Sequence, residues 1–300
     1  IPLRLVGSEM CIRDSNITCF NFHNIMNSKI TLLLILALLS VSTSPIIGRA
    51  LVGVNAVSIS FWRMFLAIPF LVSFNFLINK KILFRVKDKK TIFYTAIASI
   101  AFTTDLTLWH YSMDITSVSN ATIIVNSAPI FVALLAYLVF KEKPQKGFIF
   151  SFLITFIGIF GLIIFSNNYA NGKLLGDILC MVAAIWYAVY LLIISKLGKE
   201  TPLNIIFYTT FFCCLFSLVP MSFSSGLNLP QSNFEWVNLL LMAFLCQFGG
   251  QFLITFGIGN ISASSGSIGL LMQPLTATIL AAFIFSEILN LIQIIFVFIT

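Results

Sequence analysis

Apolar stretches of about 20 residues, cut by short polar loops, run from residue 30 to the end of the chain. Divided at the loops, they predict spans at about 30–48, 55–78, 91–112, 116–140, 147–166, 174–195, 203–223, 234–258 and 262–286. A tenth begins near Ile288. Twenty residues rising ~1.5 Å each match the ~30 Å hydrocarbon core of a bilayer. Between Phe244 and Ser286 there is no charged residue. A bilayer requires such a stretch, and a water-soluble fold of this size does not tolerate it. The pattern predicts an all-α integral membrane protein of about ten transmembrane helices. Only 13 residues follow Glu287, so the last helix is expected to be truncated.

Composition agrees: 59% of residues are hydrophobic, 9% are charged, and the mean hydropathy is +1.03. The net charge of +7 would suggest nucleic acid if it formed a stripe. Instead the basic residues fill loops. Lys80, Lys81, Arg85, Lys87, Lys89 and Lys90 lie in one, Lys141, Lys143 and Lys146 in a second, and Lys196 and Lys199 in a third. The alternate loops hold only Arg49 and Lys173. Positive loops stay in the cytoplasm, which puts the N-terminus there. The expectation is a multi-pass protein of a bacterial cell (inner) membrane, with no nucleic-acid partner.

The cysteines have no metal-ligand or redox spacing and read as small hydrophobes. No cofactor or metal is expected. No G-x-x-x-x-G-K-[ST] loop occurs, so the chain does not encode ATP-driven pumping. Residues 1–25 read as a non-native or disordered N-terminal extension.

Two segments repeat. "SVSNATIIVNSAPIFVALLAYLVFKE" begins at Ser117, and "SASSGSIGLLMQPLTATILAAFIFSE" begins at Ser262. An offset of 145 aligns, among others, Ser117 with Ser262, Ser119 with Ser264, Pro129 with Pro274, Phe140 with Phe285 and Glu142 with Glu287. Apolar composition alone would not place Pro and Glu 13 apart in both copies. The offset covers five spans, an odd number, so the second copy enters the membrane from the opposite side. Residues 26–166 then form the first five-helix half and 167–300 the second. Inverted repeats of this kind underlie alternating access, with substrate near the midplane between the halves.

The pieces "FWRMFLA", "DLTLWHYSMDITSVSNATIIVNSAPIFVALLAYLVFKEK" and "GSIGLLMQPLTATILAAFIFSE" resemble the EamA-type drug/metabolite transporter (DMT) family. The resemblance covers essentially residues 30–300. It implies a basket of helices around a central cavity. It also implies a secondary transporter, commonly an exporter, of small metabolites such as amino acids. The coupling ion is left open, with protons one option through Asp105, and a monomer or homodimer is expected. Span one, "LLSVSTSPIIG", lacks the Trp-Gly pair common in the family.

Charges inside a bilayer are costly and mark function by default. Arg63 and Asp105 each lie seven or eight residues from the outer end of their spans, about 10–12 Å deep. They could clamp a substrate carboxylate and take a proton or amine, or form a fixed ion pair joining spans two and three. His110 is about 140° around the helix from Asp105. Beside Trp109 and Tyr111 it reads as an interfacial anchor or gate rather than a proton relay. Pro129 and Pro274 should kink their helices and free backbone carbonyls toward a cavity. Asn120, Asn126 and Gln273 cluster just before them. Gln247 and Gln251 share a face at i,i+4, and Trp186 and Tyr187 could supply aromatic wall or equally face lipid or pack between helices. Glu142 and Glu287 close equivalent spans and suggest helix-end or gate positions. A membrane-embedded enzyme or a non-transporting receptor or assembly subunit remains the alternative. The loops lack acidic metal motifs for the first, and the second does not require a repeat.

Overall fold

The computed structural model describes residues 32–33, 35–80, 84, 88–141, 150, 153–154, 157–158, 174–197, 200–223, 226–260, 291–292 and 294–295. All regular structure among the described residues is helical. Helix α1 spans Ile35–Ala50, α2 Ala56–Asn79, α3 Lys89–Ile115, α4 Val118–Val125, α5 Ala128–Phe140 and α6 Leu174–Lys196. Helix α7 spans Pro202–Phe216, α8 Leu218–Ser222 and α9 Asn233–Leu241. A π-helical segment, Met242–Gln251, joins α9 to α10, Phe252–Asn260.

Six helical stretches are long and apolar enough to cross a membrane: Ala56–Asn79, Lys89–Ile115, Asn120–Phe140, Leu174–Lys196, Pro202–Ser222 and Asn233–Gly257. They fall where spans two, three, four, six, seven and eight are expected, and α1 falls on span one. Spans five, nine and ten lie mainly outside the described residues.

The surface is inverted relative to a water-soluble bundle. Leu77, Phe93, Val139 and Val219 are exposed, while Ser58, Ser99, Thr209 and Thr210 are fully buried. Apolar side chains outside and small polar ones between helices suit a lipid solvent. The polar groups bond across helices: Ser99 Oγ donates to the Thr209 carbonyl at 3.3 Å, tying α3 to α7.

Local chemistry sets the helix ends. Asn55 caps α2 by accepting the Ser58 N–H at 2.8 Å, and Asp88 caps α3 through the Lys90 N–H. Ser232 and Glu235 form a capping box on α9. Span four is broken at Asn126 and Ser127. The Asn126 amide donates to the Thr122 carbonyl at 2.7 Å, and Ser127 Oγ to the Ile124 carbonyl at 2.6 Å. Pro129 restarts the helix in its first turn, where a missing N–H costs nothing.

Glycines let three crossings close. Gly48 on α1 lies against His110 and Met113 of α3. Gly176 on α6 lies against the α3–α4 turn, and Gly250 in the π segment lies against Val41 of α1.

Candidate functional site

Beside these crossings lies an open-sided cavity of about 40 Å3. That is room for about one water. Its wall comprises Val41 and Ser44 (α1), Arg63 (α2), Phe102, Asp105, Leu106 and Trp109 (α3), Val125 and Asn126 at the span-four break, Tyr187 (α6) and Gln251 (π segment). Phe102 stacks on Tyr190 with centroids 4.4 Å apart, which fixes the aromatic side of the wall.

Arg63 is 1% exposed and Asp105 4%. Arg63 Nη1 donates to Ser44 Oγ at 3.1 Å. Arg63 Nε and Asp105 Oδ1 have no hydrogen-bond partner. No salt bridge joins the two residues among the described residues, so the fixed ion pair expected as one alternative is not what the structure holds. A guanidinium and a carboxyl group face one cavity. A buried polar group with unfilled hydrogen-bond capacity is costly. A ligand that supplied both partners would relieve that cost.

The other candidates divide. Asn126, Tyr187 and Gln251 line the cavity with the charged pair. Gln247 does not: it turns to α7, donating to Thr210 Oγ1 at 2.9 Å. Asn120 is buried with neither amide atom bonded, outside the cavity wall. Trp186 is 37% exposed and does not line the cavity, one helical step of 100° from Tyr187. His110 and Trp109 are not an interfacial belt. They are 2% and 5% exposed, and only Tyr111 faces out. Both His110 ring nitrogens lack partners, and the ring packs against Gly48, five residues before α3 ends. Gln273, Pro274, Glu142 and Glu287 lie outside the described residues.

Ser44 escaped the sequence reading, since span one lacks the expected Trp-Gly pair. Its signal was the Ser-Pro step at the start of a helical turn, with Pro45 in the first turn after Thr43. Among the described residues no group of three or more His, Cys, Asp or Glu is placed to hold a metal.

Comparison with known proteins gives the family. An uncharacterized transporter of Archaeoglobus fulgidus is 25% identical over 269 residues, covering 87% of this chain and 91% of its relative. An S-adenosylmethionine uptake transporter of Rickettsia conorii is 23% identical over 261 residues, 84% of this chain and 83% of its relative. Mouse solute carrier family 35 member G1 is 25% identical over 255 residues, 81% of this chain and 67% of its relative. One solved crystal structure superposes with a TM-score of 0.68 at 10% identity, covering 90% of this chain and 94% of that one. It shares the fold. The EamA-like transporter family model matches twice, over residues 28–164 and 174–300. The cavity thus lies in a helical membrane protein matched along nearly its whole length, and the chain belongs to the EamA-like transporter family.

Proposed function

We propose that the chain is a secondary transporter of small zwitterionic metabolites of the amino-acid class, working by alternating access between two inverted five-helix halves. The observation that carries the substrate class is the cavity. It presents a guanidinium and a carboxyl group that do not bond to each other, with Trp109, Tyr187 and Phe102 beside them. A substrate carboxylate pairs with Arg63 in a bidentate fork. A substrate amine pairs with Asp105, which takes a proton when the site is empty. Exchange of that proton for substrate couples flux to a proton gradient.

The ten-helix, two-half reading rests on the internal repeat. It is supported by the two family matches, whose starts at residues 28 and 174 differ by almost the repeat offset. Export is the direction that the family resemblance implies. The Rickettsia relatives are named for uptake, so the assay has to read both directions.

The test is flux in proteoliposomes under an imposed pH gradient, with labelled amino acids and labelled S-adenosylmethionine. Native protein should move at least one of them. Arg63→Gln should lose substrates that carry a carboxylate. Asp105→Asn should lose the response to the gradient. Unchanged gradient-driven flux in folded Asp105→Asn protein would remove the coupling role. No flux of any small solute by folded native protein would favour the receptor alternative.

A further inference from the structure

Among the described residues of the cavity wall, four polar atoms have no hydrogen-bond partner: Arg63 Nε, Trp109 Nε1, Asp105 Oδ1 and Gln251 Oε1. The first two donate, and the last two accept. Each belongs to a side chain no more than 5% exposed. Neighbouring polar groups in the wall are engaged. Ser44 Oγ accepts from Arg63 Nη1, and the Asn126 amide donates to the Thr122 carbonyl. The Tyr187 hydroxyl hydrogen-bonds with the Gln251 side chain, which steadies that amide and leaves its Oε1 free.

Buried donors and acceptors are almost always paired, because an unpaired one has given up water for nothing. Four of them around one cavity describe an occupant. Arg63 reaches the cavity from α2 and Gln251 from the π segment. Asp105 and Trp109 are four residues apart on α3, so they share a face with Cβ atoms about 5–6 Å apart. The wall thus offers two donors for a carboxylate and two acceptors for an ammonium, one of each kind charged or chargeable and one neutral.

We propose that Trp109 and Gln251 are specificity residues. The indole N–H shares a bound carboxylate with Arg63, and the Gln251 side-chain carbonyl shares a bound ammonium with Asp105. The proposal rests on the zwitterion reading above and adds its two neutral partners. Room for about one water is too little for an amino acid, so the open side widens as the ligand enters. Selectivity follows from the pairing. An amine without a carboxylate leaves Arg63 and Trp109 unpaired, and an acid without an amine leaves Asp105 and Gln251 unpaired. Sites built to hydrogen-bond a group reject the analogue that lacks it. A single water has the same complement of two donors and two acceptors, and is the competing occupant.

Equilibrium binding to the full-length protein in detergent tests this without transport. Tritiated proteinogenic L-amino acids are screened by scintillation proximity. The tightest binder is then compared with its decarboxylated amine and its deaminated acid, each also tritiated. Trp109→Phe should weaken the amino acid about tenfold and leave the amine unchanged. Gln251→Met should weaken the amino acid about tenfold and leave the deaminated acid unchanged. Losses of that size match one hydrogen bond to a charged group. Trp109 belongs to the main core. Benzothienylalanine incorporated at position 109 keeps the ring shape and removes only the N–H, and it serves if Trp109→Phe misfolds. Gln251→Leu serves likewise at position 251. Equal losses for the amino acid and both analogues mark a structural role and overturn the assignment. Unchanged affinities overturn it too, and leave the four atoms to a water. Binding of no amino acid by folded native protein also overturns it, while flux of another solute would then keep the transport reading. Selective losses in a protein that moves no solute keep the recognition and remove the transport reading.

Discussion

Gly176→Ala should destabilise the protein far more than a single methyl group suggests. A Cβ at this position would lie 2.9 Å from Thr116 Cβ, 3.1 Å from the Thr116 backbone nitrogen and 3.2 Å from Ile115 Cβ. Carbon contacts are comfortable at about 3.5–4.0 Å. All three neighbours are backbone atoms or Cβ atoms fixed by backbone, so no rotamer change relieves the crowding. Thr116 is also pinned: it is 2% exposed, and its hydroxyl donates to Asp177 Oδ1 at 2.6 Å. Relief requires the outer end of α6 to back away from the α3–α4 turn by about 0.5 Å, and that strains the Thr116–Asp177 bond. Overpacking of this kind costs about 1–3 kcal/mol. The rigid neighbours put this site near 2, and for a protein of this size that lowers the melting temperature by about 4–8 °C. The assay is thermal unfolding in detergent. Thr116→Gly removes the clashing Cβ, so Gly176→Ala with Thr116→Gly should lose less than the sum of the single losses. Thr116→Ala keeps the Cβ and should give no such rescue. A melting temperature unchanged by Gly176→Ala, or equal rescue by both partners, would refute the close approach.

Gly250→Ala should force α1 away from the π segment, because its Cβ would meet Val41 Cγ2. Flux should fall, and Val41→Ala should restore part of it. Trp186→Ala should leave flux intact, since the ring does not line the cavity, while Tyr187→Ala should abolish it. Radiotracer uptake separates the two, and loss of flux in both variants would return Trp186 to the site. Ser232→Ala removes the capping box, costs about 1 kcal/mol, and should speed hydrogen exchange in the first turn of α9 alone. Unaltered exchange there would show that the box carries no stability.

The spans were legible because bilayer thickness acts on the chain as a ruler. A run of about 20 apolar residues has one stable conformation in hydrocarbon, so hydropathy alone fixes its length. Breaks inside spans were partly legible. Pro129 announced one, and the structure puts it at Asn126 and Ser127, where side chains accept the task of filling upstream carbonyls. Span seven breaks in the same way at Ser217, whose hydroxyl donates to the Cys214 carbonyl. The π segment was not legible. Met242–Gln251 contains no Pro and carries no local signal for a change of winding.

Depth in the membrane can be counted along a sequence, but direction around a helix cannot when every face is apolar. Counting from the span ends put Arg63 and Asp105 at one level, and both face one cavity. The same counting could not tell Trp186 from Tyr187, or reveal that His110 points inward. In a water-soluble helix an apolar stripe marks the buried face. Here lipid and protein interior are equally apolar, and the stripe disappears. Only polar residues then carry directional information, because lipid will not hold them. Polarity marks a residue as turned away from lipid without saying toward what: Arg63, Asp105, Asn126 and Gln251 line the cavity, while Gln247 and Asn120 do not. It also explains Ser44. One small hydroxyl is too common in membrane helices to stand out, and its role appears only once α2 brings the Arg63 guanidinium to it.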